Sequence, residues 1–312
     1  MSVDFKNVTL LYHADSGSGM GGKVAPQVAD ALRSIYPNGE LEVIKTESKE
    51  HIAELGRTSK ADLIAVLSGD GSLHDLIQTI VERPADERPT IVPIPAGSGN
   101  DFVRTLDFPL DPLKTVEILP QCVVVKSDVV RVKTEVESVY SLETLSFGVD
   151  AAVSLNTQEL RLKTKTRGLL LYGQAAVLAI LREFDAHRVK IKMEGNEFEI
   201  DLLFMAAQNG PTYGSGFNVC PDASIVDGMI DINIVAGISK FAGLMMLPKL
   251  QKGTHRGRKG VTTYRSPWLE LEFTEQLPVQ CDGERVLGLK YFIDIIPGAL
   301  EVLALPSAKA CK

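Results

Sequence analysis

The first third of the chain alternates continuous apolar runs with amphipathic stretches. Val8 to Tyr12, Leu41 to Ile44, Ala61 to Leu67 and Thr90 to Ile94 predict strands, and the stretches between them predict helices over about Val24 to Ile35, His51 to Leu55 and Ser72 to Glu82. Strands without polar alternation, separated by helices, imply a parallel α/β sheet covered on both faces. Ligands bind beyond the carboxyl ends of such strands. Every glycine-rich stretch of this region falls at such an end.

The pattern changes after Cys122. The segments "VVVKSDVVRVKTEVESVYSLETLSFG", "HRVKIKMEGNEFEIDLLF", "MIDINIVAG", "WLELEFTE" and "YFIDIIPGALEVLAL" are β-branched and alternating. They predict antiparallel strands, with a hairpin turn at Gly195-Asn196. Helices are expected over roughly Arg167 to Phe184 and Ser239 to Leu250. The reading is an α/β nucleotide-binding domain with a parallel sheet over 1–125, and a β-rich antiparallel domain over 126–312. The C-terminal end is expected to pack back on the first domain.

Composition narrows the function. The 312 residues, 45% of them hydrophobic, can fill a sizeable core, and the net charge of −7 argues against a nucleic-acid partner. Cys122, Cys220, Cys281 and Cys311 are scattered without a C-x-x-C pair, which favours reduced thiols in a cytoplasmic protein. The N-terminus lacks a signal-peptide pattern, and no apolar run reaches the ~18 to 20 residues of a spanning helix. Any membrane contact is expected to be peripheral. The oligomeric state is left open.

Three loops carry chemistry. In "HADSGSGMGGKV", Gly17, Gly19 and Gly22 satisfy G-x-G-x-x-G after a strand, but Val24 occupies the hydroxyl position that a Walker A loop needs for Mg²⁺. Thr46 and Glu47, at the end of the next strand, are placed to hydrogen-bond a ribose. In "SGDGSLHD", Ser72 is expected to cap the following helix with Asp75 at its third position, so that the amides of Gly69, Gly71 and Ser72 form an anion site. An aspartate beside phosphates is tolerable where it holds Mg²⁺ or removes a proton from an attacking hydroxyl. In "PIPAGSGNDFVRTL" the design repeats, with Gly97-Ser98-Gly99 followed by Asn100-Asp101 at a helix start.

"LSGDGSLHD" followed by "PAGSGND" resembles the catalytic domain shared by diacylglycerol kinases, sphingosine kinases and related lipid kinases. "SFGVDAAV", "NGPTYGSGFNVCPDASIVDGMIDI" and "CDGE" extend the resemblance along nearly the whole chain. It implies an ATP-dependent kinase acting on a lipid hydroxyl with Mg²⁺. Asp70 is then the candidate general base, with Ser68, Gly69 and Gly71 against substrate and phosphate. Gly97, Ser98, Gly99 and Asn100 bind nucleotide, with Gly17, Gly19, Thr46, Glu47 and Asp75 near it. Arg161 and Arg167 fall where sphingosine kinases place phosphate-binding arginines, a task suited to a fork of permanently charged donors. Asp282, Gly283 and Glu284 complete the set, Glu284 as a second catalytic carboxylate. Asp227 is a candidate for a structural Mg²⁺.

The chain departs from the family at three places. His13-Ala14 stands where Asn-Pro is usual, and Asp75 replaces a glutamate. Ser154 stands where sphingosine kinases carry the aspartate that pairs with the sphingoid amine; Asp150, four residues earlier, is the nearest carboxylate. The leading substrates are therefore sphingoid bases or diacylglycerol. A kinase of NAD, a Rossmann dehydrogenase built on Gly17, Gly19, Gly22 and Glu47, and a non-catalytic binding relative remain as alternatives. "FAGLMMLPKLQKGTHRGRKG" sets apolar residues beside Lys249, Lys252, Arg256, Arg258 and Lys259, a composition suited to an anionic membrane surface or to a core helix with a basic loop.

Overall fold

The computed structural model describes residues 4–163, 168–182 and 184–312. Two compact units emerge, Met1–Asp128 with Pro297–Lys312, and Val129–Ile296. In the first, β1 (Asn7–His13), β2 (Glu40–Thr46), β3 (Leu63–Ser68) and β4 (Thr90–Pro95) run parallel in the order β2-β1-β3-β4. Helices α1 (Ser16–Ile35), α2 (Lys49–Thr58) and α3 (Asp70–Ile80) connect them, and α4 (Asp101–Thr105) and α5 (Pro112–Ile118) follow β4. Strands β3 and β4 are buried at every position, as central strands between two helical layers must be. Helix α3 buries Leu73, Leu76, Ile77 and Ile80, an i, i+3, i+4, i+7 stripe. Each such side chain contributes roughly 1.5–3 kcal/mol on burial. The C-terminal residues extend this sheet: Val302 pairs in parallel with Ile91, and Arg88 donates to the Ala299 carbonyl at 2.7 Å.

In chain order the second unit is built from β5 (Val123–Thr134), β6 (Ser138–Ser141), β7 (Thr144–Gly148), α6 (Val149–Lys163), α7 (Gly168–Arg182), β8 (His187–Met193), β9 (Asn196–Gln208) and β10 (Ile230–Ala236). Then come α8 (Lys240–Gln251), β11 (Val261–Ser266), β12 (Trp268–Phe273), β13 (Val279–Cys281), β14 (Glu284–Arg285) and β15 (Lys290–Ala304), whose residues from Pro297 onward belong to the first unit. Its main sheet is antiparallel in the order β14-β13-β7-β9-β8-β12-β15, with β10 between β9 and β11. Strand β9 shows how burial follows coverage. Its first half alternates beside β8, and its second half, from Leu202, is buried throughout. There Met205 and Ala207 join a core made mainly from strands, whereas Phe204 and Ala206 join a second core with Ala179, Ile180, Met246 and Leu250 from the helices.

Element boundaries moved where local chemistry outweighs periodicity. Helix α1 starts at Ser16, not near Val24, because the left-handed residues Gly17, Ser18 and Gly19 form a kink inside it. The hairpin between β8 and β9 turns at Glu194-Gly195, one residue before the expected Gly195-Asn196, with Gly195 at φ +71° and Met193 paired to Asn196. Helix α6 was missed, because its small and polar residues carry little apolar stripe. No helix among the described residues is long and apolar enough to cross a membrane.

Candidate active site

The three glycine-rich loops of the first unit follow β1, β3 and β4, and backbone contact joins them. A Cβ on Gly97 would lie 2.4 Å from the Gly69 α-carbon, and one on Gly17 would lie 2.4 Å from the Ala96 carbonyl oxygen. No side chain fits at either place, so the glycines are required by close approach. Asn100, left-handed at φ +54°, braces the third loop. Its Oδ1 accepts from the Gly97 amide at 2.9 Å and its Nδ2 donates to the Gly97 carbonyl at 3.0 Å. That side chain holds the loop's shape, with Ser98 and Gly99 at the tip.

Helix α3 begins at Asp70 with Gly69 as its N-cap. Ser72 is therefore not the cap expected from the sequence but the third helical residue, its hydroxyl 2.7 Å from Ser68 Oγ. Asp75 is then the sixth helical residue rather than part of a capping box, with its carboxylate 3.8 Å from Lys49 Nζ. The first-turn amides of α3, at Asp70, Gly71 and Ser72, lack partners within the helix and carry the positive end of its dipole. Such an end favours a phosphate. The Asp70 carboxylate accepts from the Phe102 amide of the third loop at 3.4 Å. A Cβ on Gly99 would lie 2.7 Å from Asp70 Oδ2 and 3.3 Å from Asp101 Oδ2, so two carboxylates flank that glycine. Paired carboxylate oxygens suit a hard divalent cation such as Mg²⁺. Asp101 was absent from the sequence candidates, and its signal was the Asn-Asp after Gly-Ser-Gly.

Beside these loops a small cleft is lined by Tyr12, His13, Thr46, Ile52, Ser68 and Ser72. Thr46 is buried, its hydroxyl donating to the Tyr12 carbonyl at 3.2 Å, while Glu47 is exposed. His13 stands in for the family's asparagine. Its carbonyl accepts from Ser16 Oγ at 2.9 Å and its Nδ1 from the Asp15 amide at 3.3 Å.

In the second unit, Asp282-Gly283 makes the two-residue turn between β13 and β14, both residues with positive φ (+47° and +96°). That is the geometry an Asp-Gly pair favours in a tight hairpin. The Asp282 carboxylate accepts from Ser141 Oγ at 2.8 Å and from the amides of Leu142, Glu143 and Thr144 at 2.8, 3.1 and 2.9 Å. This carboxylate clamps the β6–β7 turn. Glu284, the next residue but one, opens β14 opposite Cys281. The Gly283 amide donates to Gln280 Oε1, and Gln280 Nε2 donates to Ser146 Oγ at 2.7 Å.

Asp150 lies in the first turn of α6, and Ser154 one turn later is buried. Asp150 accepts from the Tyr213 hydroxyl, and its other oxygen is out of solvent. Burial pushes its carboxyl up to about 6, against the opposing pull of Tyr213 and Ser146. Arg161 lies on α6, and Arg167 lies outside the described residues. Asp227 is met by the Arg265 guanidinium and by the Met229 amide at 3.0 Å; Arg265 also reaches Asp231 at 3.4 Å.

Comparison with known proteins gives the family. Residues 7–132 match the diacylglycerol kinase catalytic domain, and residues 143–304, more than half of the chain, match the YegS C-terminal NAD kinase beta sandwich-like domain. The chain belongs to this family of YegS-like lipid kinases. A protein of Stenotrophomonas maltophilia named "Probable lipid kinase YegS-like" is 26% identical over 87% of this chain and 85% of its own length. One of the same name from Serratia proteamaculans is 25% identical over 94% and 93%. Among solved structures, one described as "A putative diacylglycerol kinase from Bacillus anthracis str. Sterne" is 22% identical, with a TM-score of 0.81 over 98% of this chain and 99% of its own. Family membership makes the chain a kinase and removes the dehydrogenase reading of the first glycine loop.

Proposed function

We propose that this YegS-like kinase transfers the γ-phosphate of Mg-ATP to the hydroxyl of a neutral glycerolipid of the diacylglycerol class. The first-turn amides of α3 and the backbone of Gly97, Ser98 and Gly99 hold the phosphates. Asp70 and Asp101 would hold Mg²⁺, which would neutralise charge on the transferring phosphoryl group. Asp70 takes the proton from the lipid hydroxyl as it attacks. The observation that carries this reading is the backbone contact of Gly69 with Gly97. It brings two loops with carboxylates to one carboxyl edge of the parallel sheet.

Substrate choice follows from Asp150 and Ser154. A sphingoid ammonium needs an ionised, accessible carboxylate. Asp150 instead accepts from Tyr213 with one oxygen and encloses the other away from solvent, while Ser154 has no charge. A neutral lipid asks nothing of either. The test is transfer of labelled γ-phosphate to mixed micelles of diacylglycerol or sphingosine, and to NAD, with product identification. Label in phosphatidic acid, lost on chelation and restored by Mg²⁺, is expected. Label mainly in sphingosine phosphate or NADP overturns the substrate assignment, and no label in any acceptor overturns the activity.

A further inference from the structure

Helices α7 and α8 of the second unit each keep an apolar stripe in solvent. Leu170, Val177 and Leu181 are exposed on α7 together with Gln174, at spacing i, i+4, i+7, i+11. Phe241, Met245 and Pro248 repeat that spacing on α8, and Lys252 continues it just past the helix. The spacing places each set on one helical face. Leu170 is 75% exposed and Phe241 73%, whereas the opposite faces bury Leu171, Ala175, Ala179, Met246 and Leu250. The stripes adjoin. Lys240, at the start of α8, donates its Nζ to the Leu181 carbonyl at 3.3 Å, and Gly243 leaves room for the Phe184 ring.

Charge on this segment runs against the rest of the protein. Between Ile232 and Leu269 there are seven Lys and Arg and no Asp or Glu, in a chain of net charge −7. Arg256 is paired with Asp222, and Arg265 with Asp227 and Asp231. Lys252, Arg258 and Lys259 are exposed, and neither α7 nor α8 contains an acid. We infer that the α7–α8 face docks on an anionic lipid bilayer, its apolar stripes entering the headgroup boundary and its cations meeting lipid phosphates. Apolar residues flanked by unopposed cations have that preference. A second copy of the chain fits poorly, because an isologous contact would set this cationic face against itself. Exposure and charge mark this face by themselves, and only its purpose rests on the proposed lipid substrate.

The full chain is sedimented with phosphatidylcholine vesicles, with and without phosphatidylglycerol, at low and high salt. Binding should require phosphatidylglycerol and weaken as salt screens the cations. Leu181→Glu with Phe241→Glu should lower partitioning by at least about tenfold, and each of Lys252→Ala and Lys259→Ala by about fivefold. Equal binding to neutral vesicles, or unaltered binding by the double variant, overturns the proposal. So does a dimer that the double variant splits, which would assign the face to a second copy. Should that variant unfold early, Met245→Gln gives the same reading at another exposed position. Turnover of a soluble short-chain diacylglycerol without vesicles should survive in all of them. Its absence from the wild type, with vesicle binding intact, would overturn the proposed activity and leave the docking face standing.

Discussion

Two Asp-Gly pairs, one in each unit, show how little a dipeptide says before its surroundings are known. Asp70-Gly71 opens helix α3, and its carboxylate reaches the neighbouring loop at Phe102 and Gly99. Asp282-Gly283 turns a hairpin, and its carboxylate gathers four donors from Ser141 to Thr144. The first carboxylate stands at a positive helix end beside a second one, Asp101, where an incoming cation or proton has a use. The second accepts from three backbone amides and the Ser141 hydroxyl and positions the turn that carries Glu284. A family motif read as one functional block, Asp282-Gly283-Glu284, therefore separates into a clamp, a turn and a candidate catalytic residue.

That contrast can be broken by substitution. The largest effect is expected from Asp70→Asn, which keeps the shape but cannot take a proton. Turnover of labelled ATP should fall by ~10² to 10⁴-fold, with the urea midpoint nearly unchanged. Activity within a few-fold of wild type would remove Asp70 from the chemistry. Asp282→Asn should do the reverse in kind. It turns an amide donor toward backbone donors, so stability should drop by roughly 1.5–3 kcal/mol, seen as an earlier urea midpoint. An unchanged midpoint would return Asp282 to the list of ligand-binding residues.

Gly97→Ala sharpens the comparison from the loop side. Its Cβ would lie 2.4 Å from the Gly69 α-carbon, whereas a Cβ on Gly69 would lie 3.1 Å from that of Gly97. Gly97→Ala should cost about 1–3 kcal/mol and lower turnover more than Gly69→Ala does. Equal tolerance of both would show that the loops do not meet as described.

The smallest effect on activity concerns Asp150, whose folded carboxyl titrates at about 6, above its ordinary value of 3.8. The folded state then binds the proton more tightly than the unfolded state. Stability is fullest below about pH 4 and falls as pH rises through 6, by about 3 kcal/mol, then stays level. Asp150→Asn should flatten that slope in urea melts and leave the preference for diacylglycerol over sphingosine unchanged. A preference that collapses would make Asp150 the partner of a substrate amine.

Much was legible from residue order because local rules act on local sequence. Unbroken apolar runs in β3 and β4 announced a covered parallel sheet. The alternation in β8 and in the first half of β9 announced a half-exposed antiparallel one. Asp70, Gly97 and Glu284 were marked by motifs. Asp101 escaped because its value lies in being close to Asp70, thirty-one positions away in the chain. The start of α3 escaped because Gly69 serves as an N-cap through its extended backbone, which no side chain advertises.

The sequence alone thus determined the class of each unit, the three loop positions and the family, since hydrophobic period and glycine spacing are properties of neighbouring residues. Only the tertiary structure decided that Gly69 and Gly97 touch, that Asp70 and Asp101 share Gly99, that Asp282 is a clamp, and that Leu181 and Phe241 stay in solvent. Each of these depends on distances between segments far apart in the chain. Such distances are set by the packing of whole elements, and no local window of residues contains them.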